Sequence, residues 1–174
     1  MPSRRQILYL AAAAPMASLV GCGGSDDVAA TDCSPIELHG GHDCHVCGMT
    51  VLNHPGPKGQ ACLRDGQVLT FCSTRDLLSW AWQPESAPII SALFVHDLSR
   101  TDWDQSSANA WMDPEQALYV VGHDLRGAMG HSPASFSERA DADAFASRHG
   151  GQVLAFDDLD WDTLRTESGD NGHA

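Results

Sequence analysis

The six residues Cys44-His45-Val46-Cys47-Gly48-Met49 pack two thiols, an imidazole and a thioether together, with His42 just ahead of them. Any fold this chain adopts must accommodate that concentration of soft ligands. Cys-x-x-Cys brings two sulfurs close enough to share one metal ion or to close one disulfide, and spacing alone does not choose between them. The other cysteines stand at 22, 33, 62 and 72. If Cys22 is spent as described next, five remain, and an odd number cannot all pair within the chain.

The leader sets the compartment. Arg4 and Arg5 precede an apolar run over residues 7–20, followed by Gly21 and Cys22, the layout of an export signal. The run is shorter than the roughly 20 residues a bilayer span needs. Leu19-Val20-Gly21-Cys22 resembles a bacterial lipobox, so residues 1–21 are expected to be removed and Cys22 to carry lipid. Ser3-Arg4-Arg5-Gln6-Ile7-Leu8 also resembles a twin-arginine signal. The expected location is the periplasm, tethered to the outer side of the cytoplasmic membrane or to the outer membrane. Residues 22–43 are rich in Gly, Ser, Asp and Ala and read as a flexible tether.

Charge excludes some partners. There are 23 acidic and 10 basic residues, for a net charge of -13, and two of the arginines lie in the leader. No basic stripe exists to neutralise phosphates, so nucleic acid is not an expected partner.

Two globular segments follow. In residues 44–97, Met49-Thr50-Val51-Leu52 has strand character. Asn53-His54-Pro55-Gly56-Pro57 is a turn, and strands follow at Gln60-Ala61-Cys62-Leu63 and Val68-Leu69-Thr70-Phe71 around an Asp65-Gly66 turn. Ser73 or Thr74 caps a helix that stops before Pro84, and residues 89–95 return as a strand. In residues 98–160, an irregular connector carries Trp103 and Trp111. Residues 117–121 form a strand, and a glycine-bounded loop carries His123 and Met129. Ser137 is expected to cap a helix to His149, ended by Gly150-Gly151 and followed by a strand at 152–156. The fold class is therefore α+β, two small ββαβ-like units, with residues 161–174 as an acidic, frayed tail.

Three chemistries compete for the cysteine stretch. Structural zinc wants four closed ligands, and no second knuckle is present. An exported dithiol/disulfide oxidoreductase suits the compartment, but expects its first Cys at a helix N-terminus, whereas strand-like residues follow here. Cu(I) favours thiolate and thioether, and Met49 is the residue that favours copper over zinc. A disulfide-stapled assembly lipoprotein with an inert Cys44–Cys47 bridge is a further alternative. His54, His96, His123 and His131 are assigned solvated or core roles, and Trp80, Trp103 and Trp111 core or interface roles. No acid–base or nucleophile arrangement is recognisable, so no catalytic turnover is expected.

The Cys44–Met49 stretch, His54-Pro55-Gly56-Pro57-Lys58-Gly59-Gln60, Gly127-Ala128-Met129-Gly130 and His149-Gly150-Gly151 together resemble the NosL family, accessory lipoproteins of nitrous oxide reductase. The resemblance spans roughly residues 44–158. It implies two ββαβ units and a Cu(I)-binding metallochaperone that helps supply the copper-sulfide centre of the reductase, working with an ABC-type membrane complex. It also implies Cys47, Met49 and Met129 as metal ligands, with Cys44 and His45 ranked below them. Ala128, where the family often has Pro, and the thiols Cys62 and Cys72 depart from the pattern; the extra thiols leave room for a disulfide.

Overall fold

A computed structural model describes residues 33–106 and 108–165. Cys22, the twin arginines and residues 166–174 of the expected tail lie outside the described residues.

The first unit runs β1 (Gly59–Leu63), β2 (Val68–Phe71), α1 (Thr74–Ala81) and β3 (Ile90–His96). The second runs β5 (Leu118–Val121), β6 (Ala134–Phe136), α2 (Arg139–His149) and β7 (Gln152–Ala155). Between them β4 (Trp111–Met112) adds an edge to the first sheet. The sheets are ordered β2-β1-β3-β4 and β6-β5-β7, with every pairing antiparallel. In both, the first strand is central, the hairpin partner lies on one side and the strand after the helix on the other. The expected pair of ββαβ units is what the chain forms.

Local chemistry explains the elements. Between β1 and β2, Asp65 Oδ1 accepts from Gln67 N–H at 2.9 Å while Gly66 takes φ +87°, the left-handed conformation that glycine adopts without strain. Ser73 Oγ accepts from Asp76 N–H at 3.0 Å and caps α1, whose Leu77, Leu78 and Ala81 are buried. Gly59 in β1 is required by that packing, because a Cβ there would lie 2.6 Å from Leu77 Cβ. The larger core includes Val51, Phe71, Leu77, Val95 and Tyr119, and a smaller one in the second unit includes Val120, Phe136 and Phe145.

Several expectations change. Residues 49–52 are not a strand: Thr50 makes only an isolated bridge to Asp43, and Val51–Asn53 is a 3-10 turn. The reason is the loop before them, which closes on itself through Cys44 N–H to Met49 O (2.8 Å) and Gly48 N–H to Cys44 O (2.8 Å). Ser137 does not cap α2. Its N–H and hydroxyl instead donate to the two oxygens of buried Asp97, at 2.9 and 2.7 Å. Satisfying a buried carboxylate outweighs capping an exposed helix end. The segment at 161 begins as a helix, α3 (Trp161–Arg165), rather than a frayed tail. Leu164 is buried, Trp161 meets Trp82 edge-on with ring centroids 5.5 Å apart, and Asp160 and Thr163 cap each other reciprocally at 2.7 Å. Cys33 and Cys62 form a disulfide that ties the segment before the cysteine loop to β1.

Candidate metal centre

The loop over residues 43–50 is pinned to β2. His45 N–H donates to Thr70 O at 2.8 Å, and the Thr70 hydroxyl donates to Asp43 O at 2.8 Å. Gly48, at φ +72°, lets the chain turn back so that Cys44 faces inward and Cys47 follows it. From the other side comes Cys72, the residue after β2 and just before the Ser73 cap. The Sγ atoms of Cys44, Cys47 and Cys72 all lie within 4.8 Å of one another. Cys47 and Cys72 are 3.5 Å apart. Cys44 is 3% exposed and Cys72 0%, while Cys47 is half-buried, so the group opens outward through Cys47.

The three thiols are not equivalent. Cys72 donates to Asp76 Oδ2 at 3.1 Å. Cys44 is pulled down to about 5, first by its hydrogen bond with Cys72 and then by the backbone N–H groups of Cys47, Cys72 and Val46, against the opposing effect of burial. Cys72 moves up for the complementary reason: its interaction with Cys44 favours ionisation of Cys44 instead, and it is buried and faces Asp76. Burial also raises Cys47. The surroundings therefore favour ionisation at Cys44 over Cys47 and Cys72.

Behind the sulfurs lies Lys58, fully buried, whose ammonium donates to the carbonyls of His54, Pro55 and Cys72. Burial lowers it to about 8, opposed by its electrostatic interaction with the neighbouring Cys72 and Cys44. The His54-Pro55-Gly56-Pro57 turn is thus wrapped around a cation adjoining the thiol group.

Met49 is half-buried and packs against the same core cluster that contains Cys44 and Cys72. Met129 is 50% exposed on a tight turn closed by Gly127 N–H to Gly130 O at 2.8 Å. That turn belongs to the second unit but is set against the first. Ala128 packs on the cluster containing the thiols, and Arg75 at the start of α1 reaches Ser132 Oγ and His131 O at 3.3 and 3.4 Å. His45 lies outside the sulfur group. Its ring is exposed and sits edge-on to Phe71 and Trp80, with centroids 6.0 and 5.7 Å away.

Cys72 is the residue that sequence reasoning missed as a site member. Its position between a hairpin strand and a helix cap was the available signal, but nothing local links it to a motif 25 residues earlier. His96, His123 and His131 are buried. His123 is held neutral: Nε2 donates to Ser132 O at 2.9 Å, and Nδ1 accepts from Leu125 N–H at 3.2 Å.

Chemically, three clustered sulfurs with one ready thiolate suit a soft monovalent ion. Among the described residues no fourth His, Cys, Asp or Glu joins the group to close a structural zinc site.

Residues 35–164 match the family model described as NosL. The chain is 45% identical over 142 residues to a protein of Stutzerimonas stutzeri named copper-binding lipoprotein NosL, covering 82% of this chain and 74% of that one. It is 37% identical over 164 residues to a protein of the same name from Achromobacter cycloclastes, covering 90% and 81%. The crystal structure of the copper chaperone NosL from Shewanella denitrificans superposes with a TM-score of 0.71 at 35% identity, over 74% of this chain and 97% of that one.

Proposed function

Because this chain belongs to the NosL family, we propose that it binds Cu(I) at the sulfur group and passes it on for assembly of the copper-sulfide centre of nitrous oxide reductase. The observation that carries this reading is the convergence of the Cys44, Cys47 and Cys72 sulfurs within 4.8 Å of one another. Cu(I) entering the group takes the Cys44 thiolate first and displaces protons from Cys47 and Cys72. Met49, on the same loop, and Met129, on the turn from the second unit, are the thioethers proposed to add to the sulfur group.

This arrangement suits a carrier. Thioethers and a half-buried thiol are weak enough to yield to an incoming acceptor ligand, whereas a closed four-ligand site would hold the ion. The donor site loses its ligands one at a time, and copper never needs to be free in solution. The chain therefore acts as a carrier without turnover. The acceptor is the reductase, its ABC-type maturation complex, or both in sequence.

Two relatives are named lipoproteins, and the leader read from the sequence, residues 1–21, stops just before Cys22. Among the described residues no helix is long and apolar enough to cross a membrane. Lipid on Cys22 would hold the chain on the periplasmic face of a membrane, with the sulfur group facing the compartment where the reductase matures.

The test is titration with Cu(I) against a competing chelator, comparing the wild type with Cys47→Ser, Met49→Leu and Met129→Leu. One Cu(I) per chain, with affinity lowered in each variant, supports the assignment. Unchanged affinity in Met49→Leu would remove the thioether from it.

A further inference from the structure

Among the described residues one disulfide, Cys33–Cys62, stands beside three free thiols. Conditions that close the first act on the others too. Of the three, Cys44 and Cys72 are buried from solvent, so an external disulfide can reach only the half-buried Cys47. Once Cys47 has entered a mixed disulfide, Cys72 stands 3.5 Å away to resolve it. Cys72 sits at a strand end followed directly by the α1 cap, while Cys47 lies on a loop turned by Gly48, so the small approach needed falls on the loop.

We propose that Cys47 and Cys72 form a dithiol/disulfide couple, closed by exchange with small disulfides of the glutathione class, and that copper loading must follow a dithiol-reducing step. Cys47 sulfur attacks one sulfur of the small disulfide and releases one small thiol. Cys72 sulfur then attacks Cys47 in the mixed disulfide, forming the Cys47–Cys72 bond and releasing the second small thiol. Two electrons pass from the cysteine pair to the small disulfide, and the pair's two protons end on the two thiols released. Closure removes two of the three clustered sulfurs and leaves Cys44 alone. The pairing stands on the sulfur geometry, and only its consequence for loading rests on the copper reading.

The experiment treats the purified full-length chain in detergent, without metal, with oxidised glutathione. The disulfides are then mapped by mass spectrometry after alkylation under non-reducing conditions. The expected product has a Cys47–Cys72 bridge, an alkylated Cys44, an intact Cys33–Cys62 bridge and no retained glutathione. A Cys44–Cys47 bridge, a lasting adduct on Cys47, or three unmodified thiols would each overturn the pairing. In a second measurement the oxidised chain is titrated with Cu(I) before and after reduction by a phosphine that is then removed. Binding weakened at least tenfold by oxidation and restored by reduction supports the loading order; equal binding in both forms overturns it. If the bridge forms but the reduced chain binds no Cu(I), the pairing stands and the copper reading fails.

Discussion

Cys47 and Cys72 place their sulfur atoms 3.5 Å apart across 25 residues, joining the Cys-x-x-Cys loop to the junction of β2 and α1. That contact makes a three-sulfur group from a motif that names only two. The thiols of the group are also unequal, Cys44 being lowered while Cys47 and Cys72 are raised.

Cys72→Ser is expected to weaken Cu(I) binding by about tenfold or more, in the range seen when a metal site loses a supporting group. Cys72→Ala, which leaves no donor at this position, also removes the hydrogen bond that does most to lower Cys44. Cys44 should then titrate at higher pH, which the pH dependence of its alkylation by iodoacetamide would report. An unshifted alkylation profile would show that the backbone N–H groups hold the thiolate on their own.

Stability should decline in mild acid. His96 is driven to about 3 by burial, with Lys58 adding to it, and His123 to about 4, again mainly by burial, from an ordinary 6.5. Between about 4 and 6.5 the unfolded chain therefore binds two protons that the folded chain refuses. The stability contributed by keeping both rings neutral is fully present above 6.5 and is lost as pH falls through that window. The slope is on the order of 1 kcal/mol per pH unit for each histidine. Urea denaturation at pH 7.5 and pH 5 measures it, and His123→Gln should flatten the profile.

Gly59→Ala forces a methyl into the side chain of Leu77, 2.6 Å away from the new carbon. The helix must move off β1, at about 1–3 kcal/mol. Because α1 follows directly from Cys72, thermal melting should show lower stability, and Cu(I) affinity should fall with it.

Asp97→Ala should destabilise the chain by about 2–4 kcal/mol, since Ser137 loses both its partners and the partly buried N–H of Ser99 loses its acceptor. Hydrogen exchange would locate the effect. Protection should drop at β6 and at the start of α2, where the second unit joins the first, and less at the β1–β2 hairpin.

Much of this was legible in the chain itself. The Asp65-Gly66 turn, the Ser73 cap and the Gly150-Gly151 stop are local signals, and each marks its element correctly. What could not be read depends on distant partners. β4 has two residues and β6 three, too short for any period, and both exist because a neighbouring strand pairs with them. Ser137 had the sequence of a cap but was claimed by Asp97, 40 residues away. α3 carried its own signal in Asp160 and Thr163, overlooked in an otherwise acidic stretch. The sulfur group divides in the same way: the loop announced Cys44 and Cys47, whereas Cys72 entered only through the β2 hairpin. His45 has the right chemistry, but its exposed ring lies against Phe71 and Trp80.

The most direct measurement is X-ray absorption at the copper edge on the chain loaded with one equivalent of Cu(I). A first shell made of sulfur is expected, with its sulfur count reduced in Cys47→Ser. A shell of nitrogen and oxygen without sulfur would contradict the assignment of copper to Cys44, Cys47 and Cys72.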